Sequence, residues 1–237
     1  MKKYTLLKKI ATAIIIGVVC FSCEPEVTRN GEQAKATDQT KSESNIIYGN
    51  LIIKEQSDYL MIPVNFTDQD RNQDNNLSVS RSYGKSSSLY NIVFYRKQDG
   101  EAHLLLNKKA LINSFDFLEV KTTNQTVTRI WLYKIIDQDT NGDKKINTDD
   151  AIVGYISDLS GKNLQQITPN NTQVLNWVVV PSQNAIFIKI LKDSNNDKKF
   201  SAEDNTNFVR VNLERPGIGT EIISDRLEQE VKSYIVK

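Results

Sequence analysis

Histidine occurs once in this chain of 237 residues, at His103, and cysteine twice. A single histidine leaves a histidine-based zinc site and a Ser-His-Asp triad without their parts. There is no Gly-rich phosphate loop, no Walker motif and no basic stripe interleaved with aromatics, so nucleotide and nucleic-acid partners are not expected. An excess of one charge is missing as well, with 30 basic residues against 29 acidic ones. The apolar run Ile10 to Val19 falls short of the roughly 20 residues that a membrane-crossing helix needs.

The first 22 residues combine a basic start (Lys2, Lys3, Lys8, Lys9) with that apolar run and end in Val-Cys-Phe-Ser before Cys23. This is the plan of a secretory signal and not of a structural helix. The small residue Ser22 directly before Cys23 resembles the lipobox of bacterial lipoproteins. The resemblance implies that Cys23 is lipidated and becomes the new N-terminus, and that the protein is anchored to a membrane of the cell envelope. Cys20, followed by Phe21, fits the cleavage rule poorly and departs from the usual Leu or Val. The mature chain would keep one thiol, which cannot form an internal disulfide. Without its signal the chain carries 26 basic and 29 acidic residues, a net charge of −3. Residues 24–45 contain no aromatic residue and a single valine, the composition of a tether that spans roughly 25 Å as a coil.

From Ile46 onward, short runs rich in Ile, Val, Tyr, Leu and Phe alternate with polar turns, which indicates an all-β domain over 46–237. Strands are expected at 46–54, 59–66, 90–96, 102–106, 114–120, 128–136, 151–156, 164–168, 174–180, 185–191 and 208–213. A short C-terminal helix is expected where Asp225 precedes Glu228 at capping-box spacing, with Leu227, Val231, Tyr234 and Ile235 on one face. A unit of strand, Asp/Asn loop, strand and hairpin recurs about three times, over about 46–120, 121–180 and 181–237. The expected fold class is therefore antiparallel, blade-like meanders, arranged as a partial β-propeller or an open sheet array.

Two of the acidic loops share one pattern: Asp-Thr-Asn-Gly-Asp-Lys-Lys-Ile-Asn-Thr-Asp-Asp from Asp139 to Asp150, and Asp-Ser-Asn-Asn-Asp-Lys-Lys-Phe-Ser-Ala-Glu-Asp from Asp193 to Asp204. Calcium takes six to eight oxygens at about 2.3–2.6 Å, and positions 1, 3, 5, 7 and 12 of an EF-hand-type loop supply them. Here these are Asp139, Asn141, Asp143, the Lys145 carbonyl and Asp150, then Asp193, Asn195, Asp197, the Lys199 carbonyl and Asp204. Position 8 is apolar in both (Ile146, Phe200), as expected of a side chain that pins the loop to the fold. Position 6, normally a glycine with positive φ, is Lys144 or Lys198, so affinities of about 10⁻⁴–10⁻³ M are expected. An earlier loop keeps Asp70, Asn72 and Asp74 but has Arg81 at the closing position. It is a weaker metal candidate, with an Asx-type turn as the competing reading.

The two loops resemble those of dockerins, which also close with Asp. That similarity covers only the loops, since their flanks here are β-rich and not helical, and cohesin binding is not carried over. A second resemblance, to TolB-type β-propeller blades, rests on Tyr155-Ile-Ser-Asp-Leu-Ser-Gly-Lys-Asn-Leu-Gln-Gln-Ile-Thr-Pro169 and on Gln173-Val-Leu-Asn-Trp177. Only Asp99-Gly100 before Leu104 is similar to it elsewhere. A closed propeller needs at least four blades, so about three imply an open array or a partner that covers the exposed edge.

A hydrolase using two carboxylates needs no histidine, but the clustered acids already have metal-loop spacing, and the expectation is a non-enzymatic protein. Trp131 and Trp177, with Tyr95, Tyr133 and Tyr155, are either core or a stacking platform for sugars. The sequence thus points to a calcium-binding, membrane-anchored envelope lipoprotein that serves as a binding or scaffold module. The alternatives are a surface glycan-binding or glycan-cleaving lipoprotein, and a partner subunit of an envelope complex.

Overall fold

The computed structural model describes residues 45–66, 88–121 and 125–235. Cys23, the signal, most of the tether, and Asp70, Asn72 and Asp74 lie outside the described residues. The described strands form three antiparallel sheets that follow one another along the chain. The first sheet holds β1 (Ile46–Tyr48), β2 (Ile52–Ile53), β3 (Tyr59–Phe66), β4 (Asn91–Arg96) and β5 (Ala102–Leu104). The second holds β6 (Leu111–Lys121), β7 (Val127–Ile136), β8 (Val153–Ser157) and β9 (Gln165–Gln166). The third holds β10 (Thr172–Val180), β11 (Ala185–Lys192), β12 (Asn205–Asn212) and β13 (Thr220–Glu221). An α-helix, α1 (Asp225–Ser233), follows the third sheet. The fold is all-β, an open array of meanders with no closed barrel, and among the described residues no helix is long and apolar enough to cross a membrane.

Alternation of side chains explains the layering. Successive residues of a strand point to opposite faces, and β7 reads Val-Thr-Arg-Ile-Trp-Leu-Tyr-Lys-Ile-Ile. Trp131, Tyr133 and Ile135 join Met61, Ile92 and Phe94 of the first sheet in one buried cluster. Ile130 and Leu132, on the opposite face, join Ile186, Ile188, Ile190, Val209 and Val211 of the third sheet in another. The second sheet is thus the middle layer, buried on both sides. Each large side chain so buried contributes about 1.5–3 kcal/mol, which makes β7 the most expensive strand to alter.

The differences from expectation have local causes. The expected strand 46–54 divides into β1 and β2 around Gly49, whose N–H donates to the Pro63 carbonyl at 2.9 Å. Ala151 and Ile152 precede β8 because the Ala151 N–H is held by Thr140 Oγ1 at 2.9 Å. Asn205–Asn207 extend the strand expected from 208, in register with Lys192–Ile190. The helix is capped by Ser224, whose Oγ accepts from the Leu227 N–H at 3.3 Å, one residue before the expected cap. Framed on their strands, the sheets span 46–104, 111–166 and 172–221, so the second and third open earlier than the loop-based units. Hairpins pair β6 with β7 and β10 with β11, and so draw the leading strand into each sheet.

Candidate metal centre

Both twelve-residue loops join the second and third strands of their sheets, β7 to β8 and β11 to β12. The segment with Asp70 joins β3 to β4, the corresponding place in the first sheet.

Inside each loop the acids act as acceptors for the backbone. In the first, Asp139 Oδ1 and Oδ2 take the N–H groups of Gly142 (2.6 Å) and Lys144 (2.8 Å). Asn141 Oδ1 takes that of Asp143 and Asp143 Oδ1 that of Lys145, each at 2.8 Å. In the second, Asp193 takes the N–H groups of Asp197 (3.1 Å) and Lys198 (3.0 Å), Asn195 Oδ1 that of Asp197 (3.0 Å) and Asp197 Oδ1 that of Lys199 (2.8 Å). Position 6 has left-handed backbone in both, with φ of 67° at Lys144 and 64° at Lys198. A lysine there costs roughly 1–2 kcal/mol, which the N–H bond to the position-1 aspartate offsets.

The closing aspartates are buried. Asp150 Oδ1 accepts from the Thr140 N–H at 2.8 Å, and Oδ2 from the Asn147 N–H at 3.0 Å. Asp204 repeats this with Ser194 N–H (3.0 Å) and Ser201 N–H (2.9 Å). The N–H bond from Ser201, then those from Ser194, hold the Asp204 carboxyl below its ordinary value. A hydroxyl at position 2 completes the latch. Thr140 Oγ1 donates to Asp150 Oδ1 at 3.3 Å and accepts from Ala151, while Ser194 Oγ donates to Asp204 at 3.3 Å and accepts from Asn205. The sequence reading missed this latch. Its signal was a hydroxyl residue at position 2 of both loops, where the Asp70 loop has Arg71.

The fit to calcium is one of donor type and order. Each carboxylate oxygen has two lone pairs, so an oxygen that takes one N–H retains acceptor capacity. The carboxylates are not drawn together, however: among the described residues no three His, Cys, Asp or Glu side chains form a metal-holding group. Ile146 and Phe200 are half-buried. A cleft of about 710 Å³ lies between the two loops, lined by Asn141, Asp143 and Asp150 on one side and by Lys198, Lys199 and Phe200 on the other. A Cβ added to Gly142 would stand 3.6 Å from Lys198 Nζ, so the cation of the second loop lies beside the first.

The aromatic residues do not form one platform. Trp131 and Tyr133 are buried between the first two sheets, and Tyr133 Oη bonds Ser157 Oγ at 2.9 Å. Burial pushes the Tyr133 phenol above its ordinary value. Trp177 is half-buried, with Lys134 Nζ 5.2 Å from its ring centre. Tyr155 Oη donates to Asp137 Oδ2 at 2.7 Å, while Tyr95 is exposed on the first sheet. His103 Nε2 bonds the Ser160 carbonyl at 2.8 Å, and its ring stacks on Phe94, a structural placement. No known protein family, curated protein or solved structure matches this chain.

Proposed function

We propose that the protein is a calcium-binding lipoprotein of the bacterial cell envelope, anchored through Cys23, and that its β domain is a non-enzymatic binding or scaffold module. The observation that supports it best is the same backbone-accepting arrangement in two loops at corresponding places of successive sheets. Asp139, Asn141, Asp143, the Lys145 carbonyl and Asp150 would hold one ion. Asp193, Asn195, Asp197, the Lys199 carbonyl and Asp204 would hold another. Calcium there would neutralise the carboxylates and tie strand ends together, a structural role. An ion that binds only the folded state adds about 2.7 kcal/mol per site at a hundredfold excess over Kd.

The test is calorimetric titration of chelator-treated residues 24–237 with calcium, beside melting curves with and without the ion. Binding of about two ions with a raised Tm supports the reading. No heat and no shift would leave the loops as backbone-bonded turns. For the anchor, Cys23→Ser should release the protein from the membrane fraction, and retention there would refute lipidation at that residue.

A second reading, a subunit of an envelope complex, is favoured by β6, which pairs with β7 along its length on one side and, among the described residues, joins Leu89 through an isolated bridge at Ile112 on the other. Burial of Trp131 and Tyr133 weighs against the glycan platform.

A further inference from the structure

We infer that the outer face of the first sheet is an interface with a second copy of this chain. The strand register sets which residues share this face. Ile46 and Tyr48 stand opposite Phe66 and Val64, Ile53 opposite Leu60, and Tyr95 and Val93 opposite Leu60 and Ile62, while Leu104 is opposite Val93. The other face of the sheet, with Met61, Ile92 and Phe94, is covered by the second sheet. On the outer face large apolar side chains stay in solvent: Ile46 is 53% exposed, Tyr48 63%, Ile53 55% and Leu104 56%, with Phe66 and Tyr95 close to 40%.

No described residue on this face is charged. Its one strongly polar side chain, Asn91, is already satisfied. Asn91 Nδ2 donates to the Leu106 carbonyl at 2.9 Å, and Oδ1 accepts from the Ile92 and Leu106 N–H groups. Apart from the Tyr48 and Tyr95 hydroxyls, which remain exposed with their rings, the face offers dispersion and desolvation, which selects a largely apolar partner.

Two features select a second copy. An isologous pairing sets a surface against itself, so any charge near the axis meets its like, and a charge-free face avoids that cost. Large apolar side chains carry roughly 150–250 Å² each, so these exposures leave on the order of 600 Å² uncovered. That is at the upper end for the largest patch on a monomer and most of the about 800 Å² that each partner buries in a standard interface. Two such sheets can stack about 10 Å apart, as in a sandwich. A lipid surface is the weaker occupant, because interfacial binding draws on Lys and Arg around an apolar face. The adjacent Arg96 is held by Asp99 at 2.8 Å and by Glu101.

The experiment is sedimentation equilibrium of residues 24–237, which contain every described sheet and both cores, from micromolar to sub-millimolar concentration. The variants are Leu104→Arg and Ile53→Lys, both at exposed positions, with Val178→Arg on the third sheet as the control. Circular dichroism checks that each variant folds. The expected result is a dimer weakened about tenfold or more by either face variant and unchanged by the control. A monomer across the range, or a dimer equally tight in both face variants, would overturn the inference. So would a monomer that floats with vesicles of neutral lipid, which would identify the face as a membrane contact.

Discussion

Gly161 lies so close to Phe94 that a Cβ on it would stand 2.3 Å from Phe94 Cε2. The glycine is in the β8–β9 turn of the second sheet, at φ of 77°, and the phenylalanine is in β4 of the first. The turn is bound beside this contact by Ser57 Oγ, which donates to the Leu159 carbonyl at 3.1 Å, and by His103 on Ser160. Gly161→Ala should therefore cost about 2–4 kcal/mol, combining overpacking with left-handed backbone strain. Gly217→Ala, whose added Cβ would meet nothing nearer than 3.7 Å, should stay within about 0.5 kcal/mol. Chemical denaturation of both variants checks the pair, and equal stability would mean that this contact does not join the sheets.

Asp139 serves the backbone and the proposed ion together. Asp139→Asn keeps one side-chain acceptor and removes the charge, so its Tm should fall clearly in calcium and little in chelator. Asp193→Asn should behave alike. Equal losses in the two conditions would deny the ion a stabilising role.

Asp150→Ala is a different case. It strands the N–H groups of Thr140 and Asn147, and an unsatisfied buried donor costs about 1–3 kcal/mol. The loss should therefore persist in chelator, which distinguishes a latch from a ligand. Melting in both media reads it directly, and an unchanged Tm in chelator would show that the latch adds nothing.

Lys198 stands beside the first loop, where it opposes any cation. A unit charge about 4 Å away is worth about 1 kcal/mol at the dielectric of water and more where the site is less solvated, so Lys198→Asn should tighten calcium binding severalfold while tolerating the positive φ. Calorimetry should show the change, and an unaltered Kd would place the lysine outside the field of the site.

The Arg129 guanidinium, hydrogen-bonded to Glu119 Oε2 at 2.8 Å, holds the Glu119 carboxyl below its ordinary value. A depressed folded-state pKa contributes stability above the unfolded value that is lost as pH falls through the folded one. The Tm difference between the protein and Glu119→Gln should thus be present at neutral pH and close in acid. A difference independent of pH would contradict the pairing. The effect should be small, since the pair is at the surface.

Elements with local causes were legible in the sequence. β3 and the hairpin strands β7 and β11 followed from runs of β-branched and aromatic residues, and the loop positions from Asp/Asn spacing. The bonds from Asp139 to Lys144 and from Asp193 to Lys198 reach only five residues, so the left-handed turn at position 6 was visible in the spacing. Thr220–Glu221, by contrast, became a strand only because β12 lay beside it. The helix cap shifted to Ser224 because an N-cap needs extended backbone as well as an oxygen.

The alternation of strands and turns, the chemistry inside each acidic loop and the residue types that share a strand face were all readable along the chain, because these act over a few residues. The tertiary structure decided which of those faces meet. It buried Trp131 and Tyr133 on one side of β7 and Leu132 on the other, set Lys198 beside Gly142, and left Tyr48, Ile53 and Leu104 in solvent. Burial is a property of two surfaces brought together across long stretches of chain, so a strand's pattern states that a face is apolar without stating what will cover it.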